Sequence, residues 1–206
     1  MNPGPYLVAM KTGPKFEQAL AYAARIHRGQ LRKGTEIPYV SHLLAVTAVA
    51  LEHGATETEA IGAVLHDAAE DAGGLRQIAV IKRKFGPRVA TIVVGCSDTF
   101  VTPKPPWKQR KSAYLEHLKT ASASIQLVSA ADKLHNIRSI AADYAAIGEK
   151  VWKRFSSSKA DTLWYYRSLA AIYLKAKPRS AAFRQLAGKV DETVRAVHRA
   201  AGVQYR

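Results

Sequence analysis

The sequence of 206 residues contains a single cysteine, Cys96. One cysteine excludes an intramolecular disulfide, which fits a reducing compartment, and it also excludes a zinc site built from several cysteines. Any metal ion in this protein must therefore be held by histidine and carboxylate side chains. Such ligands suit harder divalent ions such as manganese or magnesium.

Long apolar runs are also absent. No stretch of the sequence approaches the roughly 20 apolar residues of a membrane span. The N-terminus has no basic start followed by an apolar run, as a secretory signal would. Hydrophobic residues make up 48% and charged residues 23% of the chain, which is typical of a soluble globular protein. We therefore expect a cytoplasmic protein with no membrane partner.

Acidic residues are scarce, because 16 Asp and Glu stand against 31 Lys and Arg, for a net charge of +15. The segment from Lys150 to Arg206 alone has thirteen basic and three acidic residues. Such an excess can bind nucleic acid, hold an acidic partner, attract a polyanionic small substrate, or form a solvated basic surface. The charges are spread over predicted helices and carry no RNA-binding aromatic signature. A nucleic-acid partner is therefore not expected.

Almost every segment has the hydrophobic periodicity of a helix, and none shows the alternation of a strand. A capping box of Thr56 and Glu59 predicts the start of a helix that ends near Gly73. The segment from Ser97 to Pro106, with three prolines, is the clearest loop. The predicted helices are 16–27, 41–52, 56–73, 75–85, 88–96, 107–120, 124–141, 146–155, 158–176 and 180–200.

This order of segments predicts an all-α fold, a compact multi-helix bundle. Residues 1–14 are rich in Pro and Gly and are expected to be flexible. Residues 15–176 are expected to form the main domain. Residues 177–206 are expected to form a basic helical extension that packs on the same domain.

The most informative feature of the sequence is the pair His66-Asp67. Neighbouring side chains on a helix point about 100° apart, so this pair converges only on something held between them, and a divalent metal ion fits that geometry. Glu70 and Asp71 follow four residues later, which predicts a second acidic pair one turn along the same helix face. The pattern indicates metal-assisted hydrolysis. The alternative for an isolated pair is a buried core histidine beside carboxylates on the helix surface.

A catalytic metal ion needs further protein ligands. His27 and His42 lie upstream of the pair, and Asp132 lies downstream. The order His, then His-Asp, then Asp resembles that of the HD superfamily of metal-dependent phosphohydrolases, an all-α family. Four segments narrow the resemblance to the RelA/SpoT-type alarmone hydrolase domain: His27–His42, Leu65–Asp71, Phe85–Ala90 and Ala131–Arg138. Because the chain is short, it resembles a stand-alone small alarmone hydrolase.

The resemblance implies a site with one Mn²⁺ ion. It implies that Glu70 and Asp71 orient or deprotonate the attacking water. The opening histidine of the first motif, His27, is expected to be structural, and Tyr39 is expected in the core. The metal ligands that the resemblance implies are His42, His66, Asp67 and Asp132.

The resemblance also implies a nucleotide subsite. Arg32 and Lys33 resemble the family's base-stacking and phosphate-contacting pair, because a planar guanidinium can stack on a purine and an ammonium can meet a phosphate. Asn136 lies four residues after Asp132, so it is expected to face the same site and to bind the ribose or the 3′ phosphates. Ser139, a further turn along, is the weaker candidate.

The reaction implied by the resemblance is hydrolysis of the 3′-diphosphate of guanosine 3′,5′-bis(diphosphate), or of its 5′-triphosphate form. The products are GDP or GTP and pyrophosphate. One alternative is an adenosine alarmone or another phosphorylated nucleotide such as NADPH. A second alternative is a non-catalytic protein that binds nucleotides or RNA through its basic C-terminal region. An intact ligand set beside an intact acid pair favours an enzyme over a binding protein.

Overall fold

The computed structural model describes residues 11–71, 73–101, 103–177 and 180–205, and these residues form an all-α protein. The predicted fold class is therefore confirmed. Within these ranges, the extended pairing is a single bridge between Leu31 and Pro38. The helices are α1 (Pro14–Ile26), α2 (Val40–Glu52), α3 (Glu57–Val64), α4 (Ala68–Asp71), α5 (Gly74–Phe85), α6 (Pro87–Cys96), α7 (Trp107–Thr120), α8 (Ala123–Ile147), α9 (Lys159–Lys175) and α10 (Ala181–Ala200).

The helix predicted over residues 56–73 is two helices with a turn between them. Its start is as predicted, because Thr56 accepts a hydrogen bond from the Glu59 backbone and the Glu59 carboxylate accepts one from the Thr56 N–H. The prediction of one continuous helix is wrong, since residues 65–67 form a turn between α3 and α4. His66 and Asp67 therefore lie on a turn and not on a helix face.

Two other boundaries differ from the predicted ones. Helix α8 runs for 25 residues to Ile147, beyond the predicted end at residue 141, and stops at Gly148, whose φ is +58°. The helix predicted over 146–155 is a 3₁₀ segment, Gly148–Arg154. Residues 1–10 of the predicted flexible segment lie outside the described residues. The predicted boundary at residue 176 stays a prediction, although α10 packs against α8 and α9.

Two hydrophobic clusters surround the central helix α8 and the neighbouring α2 and α3. The larger cluster joins α8 to α7, α9 and α10, and the smaller one joins α1, α3, α5 and α6. Helices α2 and α3 supply residues to both clusters: Val46 and Ala63 to the larger one, Leu43 and Val64 to the smaller one. The N-terminal part of α2 and the C-terminal end of α3 thus meet α8 between the two clusters. No described helix is both long enough and apolar enough to cross a membrane.

Small residues set the close approach of α6 to its neighbours. A Cβ atom built on Gly62 of α3 would lie 2.6 Å from Ile92 Cγ2 of α6, which is far inside van der Waals contact. Packing of α3 on α6 therefore requires glycine at this position. Because α3 leads directly into the turn that carries His66 and Asp67, this packing also fixes where the turn begins.

We expect Gly62→Ala to lower the free energy of unfolding by about 1–3 kcal/mol, because the added methyl group overpacks the contact with Ile92. Urea denaturation followed by circular dichroism measures the change. The control is Gly188→Ala on α10, where an added Cβ meets no atom within 4 Å. That variant should be neutral or up to about 1 kcal/mol more stable, since alanine favours helix over glycine. Equal stability of the two variants would contradict the packing argument.

Candidate metal centre and adjoining pocket

Three separate parts of the fold bring four polar side chains together. His42 lies in the first turn of α2, His66 and Asp67 lie in the turn between α3 and α4, and Asp132 lies on α8. The Nε2 atom of His42 is 3.4 Å from Asp67 Oδ2 and 3.2 Å from Asp132 Oδ1. The Nε2 atom of His66 is 2.9 Å and 3.6 Å from the same two oxygens. The residues predicted as ligands from distant parts of the sequence thus converge on one point.

Hydrogen bonds behind the two imidazole rings fix which nitrogen faces this point. His66 Nδ1 lies 2.7 Å from the Ala63 carbonyl oxygen, so Nδ1 carries the proton and donates it there. His42 Nδ1 lies 2.8 Å from His135 Nδ1. Both Nε2 atoms are left facing the carboxylates. His66 Nε2 is buried and makes no hydrogen bond among the described residues, which leaves a lone pair directed into the centre.

The donor set fits a divalent metal ion. The ligand atoms of His42, His66 and Asp67 all lie within 4.8 Å of one another, and Asp132 Oδ1 lies beside them. Imidazole nitrogens and carboxylate oxygens together are good ligands for such ions. His66 Nε2 is buried beside Asp67 Oδ2 without a well-aligned hydrogen bond, and coordination to an ion would satisfy it.

The charges of the four side chains also favour a bound cation. Burial opposes the charged forms of His66, Asp67 and Asp132, but the attraction between imidazole and carboxylate groups outweighs the effect of burial. Asp67 and Asp132 therefore raise the pKa of His66 well above its usual value. The pKa values of Asp67 and Asp132 are held well below the usual range by the histidines and, for Asp132, first by Lys133. The centre thus holds two negative charges, buried at Asp132 and partly buried at Asp67, that attract positive charge, either protons or a metal cation.

Tyr39 has a role that the sequence analysis did not find. Its hydroxyl donates a hydrogen bond of 2.5 Å to Asp67 Oδ2, and burial together with Asp67 raises the pKa of this hydroxyl. Its ring stacks on His27 with the ring centroids 5.3 Å apart. Tyr39 was expected in the core, but it is half-buried and orients an expected metal ligand. Its position three residues before His42 was the only signal in the sequence.

Glu70 and Asp71 do not form the single acidic stripe that the continuous helix predicted. Glu70 faces a cavity of about 150 Å³ at the centre, where it accepts a 2.9 Å hydrogen bond from the Asp98 N–H. Asp71 is exposed and instead accepts a 2.8 Å hydrogen bond from Gln30 Nε2. The turn at residues 65–67 breaks the expected face-to-face stacking, so the two acids point to different neighbours. Burial and Asp98 raise the pKa of Glu70.

Lysine side chains supply positive charge to the same cavity. Lys133 Nζ donates a hydrogen bond to Asp132 Oδ2, and Lys111 Nζ donates one of 2.7 Å to Asp98 Oδ2. Both lysines line the 150 Å³ cavity, and Lys104 Nζ lies 3.7 Å from Glu70 Oε2. Lys104 and Lys111 come from a part of the sequence without a recognised motif, so pattern alone could not select them.

A second cavity of about 410 Å³ adjoins the first and contains the residues predicted to bind the nucleotide. Arg32 donates hydrogen bonds to Asn136 Oδ1 at 3.1 Å and to Ser139 Oγ at 3.4 Å, and Lys33 lines the same cavity. Asn136 in turn donates to Asp132 Oδ1 at 2.5 Å. Tyr39 and Asn136 line both cavities, so the larger one opens directly beside the metal centre.

Comparison with known proteins agrees with this architecture. The HD domain family model matches residues 19–160. The chain is 36% identical over 126 residues to guanosine-3′,5′-bis(diphosphate) 3′-pyrophosphohydrolase MESH1 of Xenopus tropicalis, covering 60% of this chain and 68% of that protein. It is 34% identical over 127 residues to MESH1 of Homo sapiens, with coverage of 60% and 68%.

Solved structures are similar over a larger share of the chain. A metazoan ortholog of SpoT, described as hydrolysing ppGpp, superimposes with a TM-score of 0.70 at 27% identity and covers 91% of this chain and 97% of its own. The protein lmo0812 of Listeria monocytogenes superimposes with a TM-score of 0.63 at 25% identity, covering 75% and 99%. The match to the family model, the identity to MESH1 and the shared fold lead to one conclusion: this chain belongs to the HD domain family, together with the MESH1 pyrophosphohydrolases.

Proposed function

We propose that the protein is a metal-dependent 3′-pyrophosphohydrolase of guanosine 3′,5′-bis(diphosphate) and its 5′-triphosphate form. It releases pyrophosphate and leaves GDP or GTP. The observation that carries the proposal is the convergence of two imidazoles and two carboxylates beside a cavity lined by Arg32, Lys33 and Asn136. The names of the MESH1 relatives and of the SpoT ortholog support the substrate class.

The metal ion is held by His42, His66, Asp67 and Asp132 in this proposal, and Mn²⁺ is the ion proposed because mixed imidazole and carboxylate ligands suit it. When bound, such an ion supplies Lewis acidity toward a phosphoryl oxygen and lowers the pKa of a water molecule. Tyr39 keeps the Asp67 carboxylate in place through its 2.5 Å hydrogen bond.

Glu70 is the proposed proton acceptor. It faces the 150 Å³ cavity, and its raised pKa makes its carboxylate a better base than an ordinary glutamate. The Asp98 N–H holds Oε1, and Oε2, which lies 3.7 Å from Lys104 Nζ, is the oxygen proposed to accept a proton from the attacking water. Asp71 is proposed to position other residues instead of accepting the proton. It accepts a hydrogen bond from Gln30, and Gln30 contacts His27. Because the His27 ring stacks on Tyr39, this chain of contacts supports the position of the Tyr39 ring.

Lysines stabilise the diphosphate as it is transferred to water. Lys111 and Lys133 line the cavity that adjoins the metal centre, where they neutralise the diphosphate oxygens while the bond between phosphorus and the ribose 3′ oxygen breaks. The 3′ oxygen is the leaving group and takes up a proton, and pyrophosphate keeps the oxygen of the attacking water. Both lysines are partly shielded from solvent, which strengthens their action on this charge. In the larger cavity, Arg32 stacks on the base, Lys33 meets a phosphate, and Asn136 and Ser139 bind the ribose side of the substrate.

Removal of a metal ligand should abolish turnover without unfolding the protein. For Asp67→Asn and His66→Ala we expect kcat to fall by at least about 1,000-fold, because metal-ion catalysis contributes several kcal/mol to the barrier. The measurements are pyrophosphate release with Mn²⁺ or with chelator, and metal content per chain. His117→Ala, a change at an exposed histidine outside the two cavities, serves as the control. Normal turnover of Asp67→Asn in metal-replete buffer would disprove the ligand assignment.

The pH profile should report on Glu70. Because its pKa is raised, it becomes protonated and inactive as a base at a higher pH than an ordinary glutamate. The rate should therefore fall as the pH drops through this raised pKa. Glu70→Gln should lower kcat by about 100- to 10,000-fold and remove that acid limb, while metal content stays unchanged over the same pH range. Glu116→Gln, at a carboxylate that is 70% exposed, should keep the wild-type profile. An unaltered acid limb in Glu70→Gln would assign the limb to another group.

A further inference from the structure

One face of α8 runs from the metal centre along the larger cavity. Asp132, Asn136, Ser139 and Asp143 follow one another at intervals of four, three and four residues, which places them on the same stripe of the helix. The last three all line the 410 Å³ cavity. At 1.5 Å per residue, Asp143 lies roughly 16 Å along the helix axis from Asp132, at the end of the cavity away from the metal centre.

Asp143 is unexpected in this place. Among the described residues it is the only acid that lines this cavity, and the other charged groups there are Arg32, Lys33 and Arg154. A substrate that carries several phosphates is repelled by a carboxylate, so Asp143 weakens binding unless it meets a hydrogen-bond donor of the substrate. The phosphates provide no such donors at neutral pH. The ribose 2′-hydroxyl provides one, on the side proposed to meet Asn136 and Ser139, and the base provides the others.

Arg154 holds the Asp143 carboxylate and leaves one of its oxygens available. Its Nη1 atom donates a 2.7 Å hydrogen bond to Asp143 Oδ2, whereas Oδ1 has no hydrogen-bond partner in the described part of the chain. The Arg154 side chain is itself confined by Gly34, where an added Cβ would lie 3.1 Å from Arg154 Cδ. Gly34 has a φ of +72°, a conformation that glycine adopts readily. The orientation of the carboxylate is thus set by the loop and by the 3₁₀ segment together.

We infer that Asp143 is the residue that selects guanine over adenine, by accepting hydrogen bonds from the N1–H and N2 amino groups of the base. This inference rests on the proposed function for its substrate. A carboxylate only accepts hydrogen bonds. Guanine presents two adjacent donors on this edge, at N1 and N2. Adenine has its single donor, the 6-amino group, beside the N1 acceptor, which a carboxylate repels. A site that accepts hydrogen bonds from the correct base discriminates against a base that cannot donate them, and water at the partly exposed carboxylate keeps this discrimination moderate.

Nucleoside diphosphates test this inference without any turnover. We would measure binding of GDP, IDP and ADP to the metal-loaded protein by calorimetry. The wild type should bind GDP best, IDP less well because inosine lacks the N2 amino group, and ADP least. Asp143→Asn should reduce the ratio of GDP to ADP affinity by about 10- to 100-fold, the range expected when a charged acceptor of base hydrogen bonds is lost. Asp143→Ser should do the same, and circular dichroism checks that both variants are folded.

The control is Asp161→Asn, because Asp161 is an equally exposed carboxylate that pairs with a basic residue outside the cavity. Its side chain is 41% exposed, against 39% for Asp143. This variant should keep the wild-type ratio. Equal binding of GDP and ADP by the wild type would overturn the inference. An equal loss of both nucleotides in Asp143→Asn would also overturn it, because the residue would then act on the cavity as a whole.

Assays of pyrophosphate release from the guanosine and adenosine alarmones separate this inference from the proposed function. If Asp143 sets the GDP to ADP ratio but neither alarmone is hydrolysed, the proposed function fails and the base selection stands. If the guanosine alarmone is hydrolysed while Asp143→Asn keeps the wild-type ratios for binding and for kcat/KM, the inference fails and the function stands.

Discussion

The balance of charge at the buried metal centre is the constraint on which the rest of the structure depends. Two carboxylates and two imidazoles are brought out of water at the junction of α2, the α3–α4 turn and α8. Burial of unpaired charges costs several kcal/mol each, so these groups are tolerated only where they meet one another and a cation. The helices must therefore meet at a fixed distance. The glycine contacts of α3 and α6 and the apolar clusters on both sides of α8 maintain that distance.

Most of the fold could be predicted from local patterns. Helix periodicity, the Thr56–Glu59 capping box and glycines at the ends of helices depend on residues near one another in sequence, and the fold class was predicted correctly from them. The break at residues 65–67 could not be predicted in this way. Its local sequence favours helix, but the His66 bond to the Ala63 carbonyl and the Tyr39 bond to Asp67 select a turn. Tertiary contacts thus override local propensity at the point where the site is built.

The candidate site shows the same division between local and long-range information. The motifs select His42, His66, Asp67 and Asp132, and the structure brings these four together, while their role as ligands stays a prediction. The motifs did not select Lys111, which reaches the cavity only because α7 packs beside α9. The basic loop between Gly29 and Gly34 could be recognised from its glycines. Its contact with α8, more than 100 residues away in sequence, depends on the whole fold.

The uninterrupted course of α8 has a consequence for how this protein can diverge. One helix carries Asp132 at the metal centre and Asn136, Ser139 and Asp143 along the larger cavity, so the number of helical turns sets the distance between the metal centre and these cavity residues. Insertion or deletion of a single residue between Asp132 and Asp143 would rotate everything downstream by about 100° and turn the downstream cavity residues away from the cavity. The lining along α8 can therefore be altered one side chain at a time, whereas a change in the length of α8 displaces all of the downstream residues together.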